Sequence, residues 1–67
     1  MIDKKLMGHR LRNLRGDKTL YEAASDLGIT PSALSNYENG LRTPRDEVKF
    51  RIAKYYDKSI EYIFFTR

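Results

Sequence analysis

Sixty-seven residues allow one domain, and a chain this short buries only about 60% of the surface it exposes when unfolded. It holds no cysteine and one histidine, which excludes disulfides, thiolate metal sites and cysteine nucleophiles and leaves His9 without partners for zinc. With 40% hydrophobic residues, 33% charged residues and a net charge of +4, the composition is that of a soluble globular domain, without an apolar run of membrane length or a signal-peptide core.

Five short helices are expected in chain order. From Lys4 to Arg15, Met7, Leu11 and Leu14 share one helix face. From Leu20 to Leu27, Leu20, Ala23, Ala24 and Leu27 repeat that spacing, and Thr19 with Glu22 three residues later forms a capping box. Thr30 caps a third helix with Pro31 at its first position, where a missing N–H costs nothing. That helix buries Leu34 and Tyr37 and stops at Asn39-Gly40, where glycine takes the left-handed conformation. Asp46 to Tyr56 forms a fourth, with Val48, Ile52 and Tyr55/Tyr56 on one face. Ser59 caps a short fifth that carries Ile60, Ile63 and Phe64. No segment of strand length alternates cleanly, so the fold class is all-α, a single domain over residues 1–67.

Charge divides the chain into three. Residues 1–18 hold six basic and two acidic side chains, a net of +4; residues 19–40 carry Glu22, Asp26 and Glu38, a net of −3; residues 41–67 return to +3. A modestly basic domain suits a polyanionic partner, although many small proteins with no such partner are as basic.

Residues 20–39 carry the informative pattern. Two helices of about eight residues are joined by Gly28-Ile29-Thr30, too tight a connection for an antiparallel pair. A positive φ at Gly28 turns the chain without a Cβ clash. Ala24, four residues upstream, is small enough to let the next helix approach. Leu27, Ile29, Leu34 and Tyr37 then meet beneath the corner. These are the geometric demands of a helix-turn-helix, with an accidental helical hairpin as the bland alternative.

Nearly the whole chain resembles the Cro/CI-type (XRE) helix-turn-helix domain of phage repressors and bacterial regulators, which has the lambda-repressor-like fold. The matching pieces are 8–15 (GHRLRNLR), 22–29 (EAASDLGI), 32–40 (SALSNYENG), Arg42-Thr43-Pro44, and Ile52-Ala53-Lys54-Tyr55-Tyr56 leading into Ser59-Ile60-Glu61. The resemblance implies a five-helix DNA-binding domain, usually dimeric, that reads an operator. It also implies that Arg15 and Glu38 pair beneath the motif, tying the first helix to the recognition helix. Two departures stand out. Leu20 occupies the position where the family usually places a phosphate-gripping glutamine, and Pro31 can offer bases only apolar contact.

Candidate base-reading residues are Ser32, Ala33, Ser35 and Asn36, opposite Leu34 and Tyr37. Asn36 can make a bidentate contact to adenine and Ala33 can pack on a thymine methyl. Candidate phosphate contacts are Lys18, Thr19, Asn39, Arg42 and Arg45, which flank that helix. For both groups a solvated surface is the plain alternative. Six of the eight aromatics fall between residues 50 and 65. Tyr62, Phe64 and Phe65 exceed what so small a core can hold, which points to a homodimer interface. Base stacking by these rings and a role for His9 are the weaker readings.

The expected function is therefore a cytoplasmic, nucleoid-associated regulator: a repressor that binds a double-stranded palindromic operator as a homodimer and acts by occlusion. The rival is a protein-interaction module such as an antitoxin or adaptor. An enzyme reading lacks parts, since the sequence offers no metal cluster, no nucleophile–histidine pair and no phosphate-cradling glycine loop; no cofactor or metal is expected.

Overall fold

Capping side chains mark where four of the five helices begin in the computed structural model, which describes residues 2–65. The elements are α1 (Lys4–Arg15), α2 (Leu20–Leu27), α3 (Pro31–Glu38), α4 (Asp46–Tyr56) and a final π-type turn, α5 (Glu61–Phe65). No strand occurs among the described residues. The Asp3 carboxylate accepts from the Leu6 N–H at 3.1 Å and starts α1. At α2 the capping box closes in both directions: Glu22 N–H donates to Thr19 Oγ1 at 3.1 Å, and Thr19 N–H donates to Glu22 Oε1 at 3.0 Å. Those bonds hold the Glu22 carboxyl below its ordinary value, the Thr19 backbone N–H contributing most. Thr30 Oγ1 accepts from Ala33 N–H at 3.0 Å to start α3, with Pro31 in its first turn. Ser59 Oγ accepts from Tyr62 N–H at 3.0 Å ahead of α5.

One face of each helix feeds a single core. Met7 and Leu11 from α1, Ala23, Ala24 and Leu27 from α2, Leu34 from α3, Val48, Ile52 and Ala53 from α4, and Ile63 and Phe64 from α5 are all buried. Burying a side chain of Leu, Ile or Phe size contributes about 1.5–3 kcal/mol, so this cluster provides the driving force a chain without cross-links needs. Leu14, Leu20, Ile29, Tyr37, Tyr55, Tyr56 and Ile60 pack around it, partly covered.

Phe64 corrects the expectation that it lies at an interface. It is 2% exposed and belongs to the core, while Tyr62 and Phe65 remain 44% and 48% exposed. The π-type winding of α5 turns Ile63 and Phe64 inward together and leaves the residues on either side outward.

The helix-turn-helix corner sits at Gly28, whose φ of 72° is left-handed. Ile29 N–H reaches back to Ala24 O at 3.0 Å and closes the end of α2. A residue from α4 supports the corner, for Arg51 Nη1 donates to Leu27 O at 2.8 Å. Asp57, at φ 56°, performs the same left-handed turn after α4 without being glycine.

Candidate nucleic-acid interface

Helix α3 buries Leu34 and Glu38, packs Tyr37 half-buried against the core, and turns its remaining residues outward. Ser32 is exposed, and Ala33, Ser35 and Asn36 are half-exposed. Ser32, Ser35 and Asn36 line a shallow concavity whose other wall is Leu20 and Tyr21 of α2, with Pro31 at its end. Ala33 lies toward a second concavity with Tyr37, Arg42, Thr43 and Arg45. The exposed face of α3 is therefore uncharged and carries short donors and acceptors, with arginines beside it. Such a surface suits base edges, because phosphate attraction can come from the flanks.

The orientation of α3 is fixed from below by α1. Arg15 Nε donates to Glu38 Oε2 at 2.7 Å and Arg15 Nη2 donates to Glu38 Oε1 at 3.0 Å, a bidentate pair. The Glu38 side chain is 2% exposed and that of Arg15 is 19% exposed. The hydrogen bond to Glu38 raises the Arg15 guanidinium above its ordinary value. Arg15 Nη1 also donates to Lys18 O at 2.7 Å, which ties down the α1–α2 turn.

The expected phosphate contacts fall into two groups. Arg42 and Arg45 are exposed in the segment after α3, and Arg45 stands 3.6 Å from Glu47 in an ion pair 84% and 67% exposed. Thr19 is exposed at the start of α2, its hydroxyl engaged in the cap. Lys18 and Asn39, by contrast, are drawn into fixed networks. Lys18 Nζ donates to Asp26 at 3.2 Å and to the Tyr55 hydroxyl at 2.6 Å, and lies 4.8 Å from the Tyr55 ring centroid. The Tyr55 hydroxyl in turn donates to Asp26 at 2.6 Å. These bonds hold the Asp26 carboxyl below its usual range, Tyr55 first and Lys18 second. Asn39 bridges two side chains: its Oδ1 accepts from Arg12 Nη2 at 3.1 Å, and its Nδ2 donates to Ser35 Oγ at 3.2 Å.

An apolar groove lies on another part of the surface, where Phe50 of α4, Ile60 and Phe65 meet between Asp46 and Lys49. Phe50 is 65% exposed. Lys49 covers part of the Phe65 ring at 5.4 Å. Tyr62 is held by Arg10, which donates to its carbonyl and lies 4.8 Å from its ring centroid.

Four residues escape the sequence reading. Arg12, Arg51 and Phe50 carry no local pattern that distinguishes them from surface side chains. Gly8 does carry a signal: a glycine inside a helix costs about 1 kcal/mol relative to alanine, so its presence asks for a packing reason. His9 is exposed, as expected of a solvated side chain.

Caps on both sides of a left-handed glycine corner, a second helix with an open polar face, and a first helix bolted beneath it define a helix-turn-helix domain. A family model described as Helix-turn-helix matches residues 9–63. The chain belongs to that family, in the XRE branch with the Cro/CI-type DNA-binding domain, and is a DNA-binding regulator of that type. A comparison with curated proteins returned no match. Among the described residues, no helix is long and apolar enough to cross a membrane.

Proposed function

We propose that this regulator is a sequence-specific repressor that lays α3 in the major groove of a palindromic operator and binds as a homodimer. The observation that carries the reading is the uncharged polar face of Ser32, Ser35 and Asn36, bordered by Arg42 and Arg45. Asn36 reads adenine through its amide, Ala33 meets a thymine methyl, and the two arginines and the capped start of α2 meet phosphates. Repression follows from occlusion of the operator.

Four short side chains make few hydrogen bonds, so one half-site would be poorly separated from random DNA. Two-fold symmetry doubles the contacts. The groove of Phe50, Ile60 and Phe65, with Tyr62 nearby in sequence, supplies a self-complementary seam, since Asp46 and Lys49 place both signs of charge on its border. A protein-interaction module would use the same groove for a different partner.

Selection of bound sequences from random duplex DNA tests the proposal. It should enrich an imperfect inverted repeat with half-site centres about 34 Å apart, and binding to it should weaken steeply with salt. Recovery of no preferred sequence, with salt-insensitive capture of a protein partner, would favour the interaction module.

A further inference from the structure

We infer that Leu20, Tyr21 and Pro31 form an apolar pocket beside the exposed face of α3 that takes the C5-methyl group of a thymine. The inference rests on the proposal that α3 reads DNA and adds to it a specificity site contributed by α2.

The pocket is built where two helices begin. Leu20 and Pro31 are the first residues of α2 and α3, and each follows a threonine whose hydroxyl caps its helix. The caps hold the backbone at both positions, and the proline ring removes the freedom about φ. Leu20 also packs partly covered against the core. Its remaining exposed carbons therefore form a wall that needs little ordering on binding. Tyr21 stands beside it, 72% exposed. Together with Ser32, Ser35 and Asn36 these residues line one concavity, and none of the six side chains is charged.

That composition decides between occupants. A phosphate would find no cation here, since Arg42 and Arg45 border the other concavity. Guanine and cytosine offer no methyl group to an apolar wall. Thymine presents its C5-methyl group together with the O4 acceptor in the major groove. The methyl group meets Leu20, Tyr21 and Pro31, while Ser32, Ser35 and Asn36 supply the polar side of the concavity. The assignment agrees with adenine as the base for Asn36. An A·T pair places the adenine N6 and N7 and the thymine methyl group in the same groove.

Deoxyuridine provides the test, because it pairs as thymidine does and keeps O4 while lacking only the methyl group. In the operator selected with the wild type, each thymine is replaced in turn and binding is measured at fixed salt. At one thymine per half-site the wild type should lose about 4-fold in affinity, the worth of burying one methyl-sized group. In Leu20→Gln and Tyr21→Ala that loss should shrink to about 1.5-fold or less, because the apolar wall that buried the group is gone. The loss at a thymine met by Ala33 should stay. Leu20 also touches the core, so Tyr21→Ala, at a side chain mostly in solvent, keeps the test decisive if Leu20→Gln folds poorly. An operator in which no uracil weakens binding overturns the inference. So does a full loss at every sensitive thymine in each variant that folds. A wild type that enriches no sequence at all overturns the DNA-reading proposal itself, a distinguishable failure.

Discussion

Gly8 of α1 lies directly against the main chain of Glu38 in α3. A Cβ at Gly8 would collide with the Glu38 carbonyl oxygen and stand 3.3 Å from the Gly40 nitrogen. The two helices therefore touch backbone to backbone, and α3 is held by α1 over its C-terminal turn. Gly40 completes the contact, with its own missing Cβ 3.0 Å from Lys4 O. Gly8→Ala should lower stability by about 1–3 kcal/mol, the usual cost of overpacking. The better helix propensity of alanine, worth about 1 kcal/mol, acts in the opposite direction. A denaturation midpoint at or above the wild-type value would show that the helices can separate freely.

Glu38→Gln should destabilise the fold by about 3 kcal/mol. The substitution keeps the shape but removes the charge that answers Arg15, and loss of one partner from a buried pair leaves the other charge uncompensated. Glu38 is buried and both of its oxygens are engaged by Arg15. Urea unfolding gives the answer directly, and an unshifted midpoint would reduce the pair to surface decoration.

Tyr56→Phe should stabilise the protein by about 1 kcal/mol, because a buried hydroxyl without a partner carries its desolvation cost unrelieved. Among the described residues nothing accepts from or donates to that oxygen. Burial pushes the phenol up to about 12 from its ordinary 10.0. The sign follows: above pH 10 the unfolded chain loses this proton while the folded protein keeps it. The contribution is whole below pH 10 and declines as pH rises toward 12. The phenylalanine variant should show a shallower alkaline loss of stability than the wild type. An equal slope would mean that the hydroxyl finds water in solution.

Arg42→Ala should weaken binding to operator and to random duplex by similar factors and lower the salt slope by about 1. Arg42 is exposed beside Ala33 and Tyr37, in the chain segment that leaves α3. Binding isotherms at several salt concentrations measure it, and an unchanged slope removes Arg42 from the phosphate contacts.

The helices and the corner were legible because their signals are local. Thr19 with Glu22, Thr30 with Pro31, and Gly28 each act within a few residues, and the structure puts every one of them to the expected use. The site was legible as a face, since Leu34 and Glu38 turn inward and Ser32, Ser35 and Asn36 do not. What the sequence could not reveal depends on contacts between distant residues. Asn39 reads as a free amide until Arg12, 27 positions away, is found against it. Lys18 reads as a free cation until Tyr55, 37 positions away, accepts from it. Phe64 differs from Phe65 only through the winding of one terminal turn, which periodicity over so few residues does not determine.

The central claim is that the exposed face of α3 contacts DNA bases. An amide-resolved NMR titration of the whole chain with the selected operator duplex tests it most directly. The account predicts the largest shifts at residues 32–39, including the side-chain amide of Asn36, with smaller ones at Thr19 and at Arg42 and Arg45. It also predicts that random duplex moves the flanks but leaves the Asn36 side-chain amide largely unmoved. Operator-induced shifts confined to α4 and α5, with α3 silent, would contradict it.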